Sequence, residues 1–186
     1  GKSAIYDKLK NYFPYLDKNG KEMAEIVKEL KERALQGYQY EAAEASFVLL
    51  VEKILGKYKT SFDLINYKII SEQPAIEGKV DSAIIKIRVN GATRITASDG
   101  EGPVHAMDLA LRSALSEFYP SIAQVTLTDF KVRVLDSDKA TAAKVRVLIT
   151  SANASDSWTT VGVSEDVIEA SWIALTDSID YALMKQ

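Results

Sequence analysis

The fold of this chain is decided by the stretch HAMDLALRSAL, residues 105–115, which returns as EASWIALTDSI, residues 169–179. The matched positions pair Ala106 with Ala170, Ala110 with Ala174, and Leu111 with Leu175. Apolar residues recur at helical spacing in both stretches, so each is predicted to form an amphipathic helix. A helix that returns in this way indicates a duplicated structural unit.

Three strand-like runs precede each predicted helix. They are SFDLINYKII, DSAIIKIRVN and ATRITAS in the first copy, and QVTLTDFKVRVL, ATAAKVRVLIT and SDSWTTVGVS in the second. Within them apolar and polar residues alternate, which is typical of strands with one buried face. We therefore predict two βββα repeats, at about residues 60–119 and 122–186, in which the helix covers the sheet. The seam between two such units is a favourable place for a ligand.

Residues 1–58 lack this alternation and instead carry apolar residues three and four positions apart, which predicts a small helical subdomain. The first expected helix is capped by Ser3 and ended by Pro14. The second is opened by Asn19 or Gly20 and closed by Gly37, and the third runs from about Tyr40 to Leu55. The predicted fold class is α+β, with the helical subdomain followed by a duplicated βββα domain over residues 59–186.

Composition excludes several classes of function. A formal net charge of -3 and a pI near 5.3 argue against a nucleic-acid partner. The chain has no cysteine, which excludes disulfides and thiolate chemistry and favours a cytoplasmic location. Its longest apolar run, FVLLV, is far shorter than the ~20 residues that span a bilayer, so we expect no membrane segment. The start at Gly1 without a methionine suggests a fragment of a longer polypeptide.

The two repeated helices are predicted to begin with different chemistry. In DGEGPVHA, residues 99–106, Gly102 and Pro103 leave the first backbone amides open to an anion such as a carboxylate. A plain turn into a helix is the alternative, and spacing alone favours it. The second helix start offers Ser164 as a cap, followed by Glu165 and Asp166, which suit an ammonium. Together the two starts suit a zwitterion.

His105 is the single histidine, so a histidine cluster for zinc is excluded. A catalytic site around His105 is a weak alternative to a role in lining a pocket, because no nucleophile motif accompanies it. SDGEGP lacks the lysine of a phosphate-binding loop, and GEGPVH does not fit a dinucleotide fingerprint. The sequence thus predicts no catalytic residue and no cofactor or metal in this chain.

Several longer stretches resemble one known family. They are GYQYEAAEASF, DGEGPVHAMDLALRSAL, TDFKVRVLD, TAAKVRVLI and TVGVSEDVIEASWIALTDSIDY, and they are similar to the C-terminal region of the citramalate synthase and 2-isopropylmalate synthase (LeuA-like) family. The resemblance implies a fragment that lacks the catalytic TIM barrel and is inactive alone. It further implies that the parent acyltransferase condenses acetyl-CoA with pyruvate on the route to isoleucine, using a divalent metal held by the barrel.

The resemblance also implies a homodimer, with an end-product amino acid bound between the two repeats at the dimer interface. The implied effector-binding positions are Val104, His105, Leu127, Phe130, Val134, Thr141, Glu165 and Val167. The favoured function is a regulatory and dimerisation region that mediates feedback inhibition by isoleucine. Leucine is the alternative effector, and a purely structural dimerisation domain is the alternative function.

Overall fold

A computed structural model describes residues 1–135 and 143–185 and confirms the predicted α+β fold with its duplicated βββα arrangement. The described helices are α1 (Lys2–Leu9), α2 (Lys21–Gln36), α3 (Glu44–Ile54), α4 (Pro103–Leu115) and α5 (Val167–Met184), with a short 3-10 helix at Pro120–Gln124. The strands are β1 (Asp63–Ile76), β2 (Lys79–Val89), β3 (Ala92–Gly100), β4 (Thr126–Val134), β5 (Val145–Ala152) and β6 (Ser157–Ser164). The division into domains at residues 58 and 59 stays a prediction.

Glycines set both ends of α2, which confirms the predicted end at Gly37 and decides the start in favour of Gly20 over Asn19. Gly20 is its N-cap, and Gly37 ends it in the left-handed conformation with φ 106°, which a residue with a side chain adopts only under strain. The prediction that Ser3 caps α1 was wrong, because the helix already begins at Lys2 and Gly1 is its N-cap. That helix also ends at Leu9, well before Pro14.

The predicted start of α3 near Tyr40 was also wrong, since the helix begins at Glu44. The two tyrosines before it, Tyr38 and Tyr40, stack with their ring centroids 5.7 Å apart. Tyr40 in turn packs edge-on against Phe47, at a centroid distance of 6.0 Å. These aromatic contacts hold the segment before α3 against the core in a non-helical conformation.

The strands form two antiparallel sheets, in the orders β1-β2-β3 and β4-β5-β6. Both sheets carry the same irregularity in the pairing of their first two strands. In the first sheet the register shifts between Leu64 and Asn66, and in the second it shifts between Leu127 and Asp129. The duplication therefore extends to a matched β-bulge.

A second matched detail joins each helix to the last strand of its own sheet. Thr96 Oγ1 donates a hydrogen bond to the carbonyl oxygen of Ala110 at 2.6 Å, and Thr160 Oγ1 donates to that of Ala174 at the same distance. These threonines occupy corresponding positions in the two repeats. Each repeat thus positions its helix on its sheet by the same contact.

The two repeats share one hydrophobic core, in which α4 packs on β2 and β3 while α5 packs on β5 and β6. Its fully buried members from both repeats include Ile85, Ile87, Met107, Leu111, Leu115, Val147, Ile149, Leu175 and Ile179. Trp172 of α5 crosses to the first repeat, where it stacks on Tyr67 with ring centroids 5.2 Å apart. It also lies edge-on to Phe62. The core therefore depends on both repeats together.

The N-terminal helices pack against the second repeat. A separate cluster of buried side chains joins them to β6 and α5, and includes Leu9, Met23, Ile26, Val51, Trp158 and Tyr181. Ser46 of α3 adds polar contacts, because its Oγ donates to Asp177 Oδ2 at 2.8 Å and accepts from the Val161 amide at 2.9 Å. Among the described helices, none is long and apolar enough to cross a membrane.

Candidate functional site

A cavity of about 620 Å³, here called the seam cavity, lies between the two repeats. Its walls come from the start of α4, the start of α5 and the inner side of β4. Seven of the residues predicted from the sequence line it: Gly102, Pro103, Val104, His105, Leu127, Phe130 and Val167. Residues far apart in the sequence thus converge at the predicted seam.

Two other predicted positions lie elsewhere. Val134 is 64% exposed, beyond the part of β4 that lines the cavity. Glu165 is exposed and is absent from the cavity walls. Thr141 lies outside the described residues.

The start of α4 leaves its first backbone amides open. Gly102 is its extended N-cap, Pro103 is its first residue, and no described side chain caps it. A Cβ on Gly102 would meet no heavy atom within 4 Å, so packing does not require glycine there. At Gly100, by contrast, a Cβ would lie 2.5 Å from the backbone nitrogen of Ala106. Uncapped amides at a helix N-terminus suit an anion.

The start of α5 is closed by its own side chain. Asp166 is the N-cap, and its Oδ1 accepts from the Ile168 amide at 2.8 Å. The prediction that Ser164 caps this helix was wrong, because Ser164 still belongs to β6 and pairs with Val145. Ser164 Oγ accepts instead from the Asp166 amide at 3.1 Å. The two helix starts therefore differ in chemistry, with one open to an anion and one already satisfied.

His105 lies exposed at the rim of the seam cavity. Its Nδ1 accepts a hydrogen bond from the Glu101 amide at 3.1 Å. An imidazole that accepts at Nδ1 and is neutral carries its proton on Nε2, so that atom is a donor. Within the described residues no hydrogen bond joins His105 to a hydroxyl or carboxylate group. The arrangement suits contact with a ligand rather than activation of a nucleophile.

A buried ion pair forms part of the cavity wall, and reasoning from the sequence missed it. Arg112 Nε lies 2.9 Å from Asp108 Oδ1, with side chains that are only 17% and 8% exposed. Arg112 Nη1 also donates to the carbonyl oxygens of Val125 and Ile122. The pair fixes α4 to the segment that leads into β4. Its spacing of four residues on the helix was the available signal.

The inner face of β4 carries an apolar stripe that the described chain leaves uncovered. Phe130, Val132 and Val134 are 38%, 44% and 64% exposed. They pair with Ile149, Val147 and Val145 of β5. Directly opposed residues lie on the same face of a sheet, so the stripe lies on the face that β5 turns toward the core. An apolar stripe on an edge strand is a surface that another chain can cover.

No group of three or more histidine, cysteine, aspartate or glutamate side chains is arranged for a metal ion in residues 1–135 and 143–185. The divalent metal that the family resemblance implies for a catalytic barrel stays a prediction.

Comparisons with a family model and with individual proteins point to the same family. A family model described as the LeuA allosteric (dimerisation) domain matches residues 41–183. The chain is 44% identical over its whole length to (R)-citramalate synthase of Aquifex aeolicus and 42% identical to that of Geobacter sulfurreducens. It is 41% identical to the Synechocystis enzyme over 98% of the chain. It spans only about a third (34–35%) of the length of these relatives.

Proposed function

The chain belongs to the LeuA allosteric (dimerisation) domain family, and from that premise we propose that it is the effector-binding and dimerisation region of an (R)-citramalate synthase inhibited by isoleucine. The acetyl-CoA and pyruvate chemistry, with its divalent metal, lies in a part of the parent enzyme outside this chain. This region alone is therefore inactive. The observation that carries the proposal is the convergence of the predicted effector positions on the seam cavity.

In the proposed complex the effector lies between the two helix starts. Its carboxylate accepts from the open amides of Val104 and His105 at the N-terminus of α4, where the helix dipole also favours negative charge. Its branched side chain packs against Leu127, Phe130 and Val167. These apolar walls suit isoleucine, and leucine is the alternative effector.

The ammonium group needs a nearby carboxylate. Glu165 and Asp166 were the predicted partners, but neither lines the cavity of a single chain. Asp108 does line it, and its Oδ1 is paired with Arg112, which leaves Oδ2 to accept from an ammonium. We therefore assign this role to Asp108.

A second copy of the chain is the proposed cover for the apolar stripe of β4. Phe130 and Val132 belong both to this stripe and to the wall of the seam cavity. Covering the stripe would therefore close the cavity and place the effector at the interface of a homodimer, where Val134 also becomes buried. Binding can inhibit the parent enzyme only by favouring one of its conformations over another.

Calorimetric titration with isoleucine, leucine and valine tests the effector role. We expect isoleucine to bind, and Phe130→Ala to weaken it about 5- to 30-fold, since losing the contact of one large apolar side chain costs about 1–2 kcal/mol. Ile95→Ala, on the exposed side of β3, is the matched control and should bind normally. If none of the three amino acids binds, the region is a structural dimerisation domain without an effector.

Light scattering after size-exclusion chromatography tests the interface separately. Val134→Lys places a charge on the proposed interface but outside the walls of the seam cavity, and should shift the chain from dimer to monomer. Ile95→Lys is the control and should remain dimeric. A dimer that persists in Val134→Lys would place the interface on another surface.

A further inference from the structure

A second cavity, of about 360 Å³, lies beneath the N-terminal helices and is here called the polar cavity. Its walls come from α2, α3, the segment leading into β1, and the middle of α5. The charged residues that line it are Arg33, Lys53, Asp63, Asp177 and Asp180. It therefore differs from the seam cavity, whose walls are mainly apolar.

The polar cavity is the counterpart of the seam cavity in the other repeat. In the seam cavity, Asp108 and Leu109 of α4 face the segment 125–127 that leads into β4. In the polar cavity the corresponding Trp172 and Ile173 of α5 face the segment 62–64 that leads into β1. The duplicated fold thus builds the same hollow twice. In the second repeat the N-terminal helices cover this hollow, and its walls carry both positive and negative side chains.

We propose that the polar cavity binds a small zwitterion, such as a free amino acid, with its ammonium on the carboxylates of α5 and its carboxylate on Arg33 and Lys53. This site is separate from the proposed effector site. It draws on α2 and α3, so its ligand would join the N-terminal helices to the second repeat.

The carboxylate side of the site leaves one oxygen available. Asp180 accepts from the Tyr58 hydroxyl on Oδ2 and from the Ser61 amide on Oδ1, at 3.1 Å for the amide. Asp177 accepts from Ser46 Oγ on Oδ2, and no hydrogen bond to its Oδ1 is seen in the described part of the chain. Burial, with repulsion from Asp180, raises the pKa of Asp177 to about 7. An ammonium group at Oδ1 would give this partly buried carboxylate a direct ion pair, which it does not form with any described side chain.

The cationic side of the site lies on α2 and α3. Arg33 stacks over the ring of Tyr38, 5.2 Å from its centroid, while its Nε pairs with Glu29 Oε1 at 3.0 Å. Lys53 forms no ion pair among the described residues, yet its charge acts on both Asp177 and Asp180. A guanidinium and an ammonium opposite two carboxylates match the two charged ends of a zwitterion.

The proposed binding depends on pH, because an ammonium pairs with the ionised form of Asp177. The other titratable groups that act on this carboxyl or line the cavity around it are Arg33, Tyr38, Tyr40, Lys53, Tyr58, Asp63 and Asp180. With the pKa of Asp177 about 7, its ionised fraction rises roughly tenfold between pH 6 and pH 8. The affinity for a zwitterion should rise by about the same factor.

Calorimetry on the 186-residue chain with glycine, L-serine and L-glutamine at pH 6 and pH 8 tests this site. We expect at least one of them to bind, about tenfold more tightly at pH 8, and more tightly than ethylammonium or acetate, which each carry one charge. Asp177→Asn and Lys53→Gln should each weaken binding tenfold or more. Lys53 is exposed, so its variant tests the site without disturbing the core.

Two control variants separate this site from the seam cavity. Phe130→Ala and Glu25→Gln, the latter on the exposed side of α2, should leave binding of these amino acids unchanged. The proposal is overturned if none of the three binds at pH 8, or if binding survives Asp177→Asn. It is also overturned if Phe130→Ala weakens the binding of L-glutamine, because that ligand would then occupy the seam cavity.

Discussion

Replacing Asp177 by asparagine should change how the stability of the chain depends on pH. The carboxyl of Asp177 lies between α5 and α3, where burial is the main cause that raises its pKa from 3.8 to about 7. Asparagine keeps a side-chain oxygen that can accept from Ser46 Oγ, but it cannot ionise. The substitution therefore removes the titration of this group while retaining its shape.

The sign and size of the effect follow from the two pKa values. Between pH 3.8 and pH 7 the unfolded chain has lost this proton while the folded chain keeps it, so the free energy of unfolding falls as pH rises. Each pH unit within this window contributes up to about 1.4 kcal/mol. From pH 5 to pH 7 the wild type should thus lose up to about 3 kcal/mol that Asp177→Asn does not lose.

Urea unfolding followed by circular dichroism at pH 5, 6, 7 and 8 measures this difference. The stability of Asp177→Asn minus that of the wild type should increase up to about pH 7 and then level off. A flat difference for Asp177→Asn would refute a partly buried, proton-binding carboxyl at this interface.

Two further substitutions test the contacts between α5 and β6, with thermal unfolding as the measurement. Gly162→Ala should severely destabilise the chain, because its Cβ would collide with the backbone carbonyl of Ala170, whereas Gly102→Ala, where space is open, should fold normally. An unchanged melting temperature for Gly162→Ala would mean that α5 can shift away from β6 at little cost. Thr160→Val removes the buried hydrogen bond to the Ala174 carbonyl and should cost about 1 kcal/mol, and no loss would show that this bond is neutral.

Features that depend on local backbone chemistry were predictable from the sequence. Gly20 and Gly37 set the ends of α2 because their effect needs no distant partner. The N-cap of α5 was harder to predict, because Ser164 and Asp166 are both good capping residues and lie two positions apart. The choice between them depends on how far β6 extends, and pairing with β5 keeps Ser164 in the strand. Sequence alone does not fix that register.

Of the two cavities built from distant segments, one was predictable from the sequence and the other was not. The seam cavity could be predicted because the duplication places two helix starts and one strand around a common seam. The polar cavity could not, although it follows from the same duplication. Its key contact joins Ser46 to Asp177, 131 residues apart, and depends on how the N-terminal helices dock on α5. No periodicity within either segment encodes that docking.

The position of Trp172 bears on whether half of the duplicated domain can exist by itself. This side chain belongs to the second repeat, yet it covers Tyr67 and Phe62 of the first. A protein cut in the connection at residues 116–125 should therefore remain one folded particle held together without a peptide link. Either piece produced separately would expose the apolar surface that the other piece normally covers, and would aggregate. Only co-expression of the two pieces should restore a compact species.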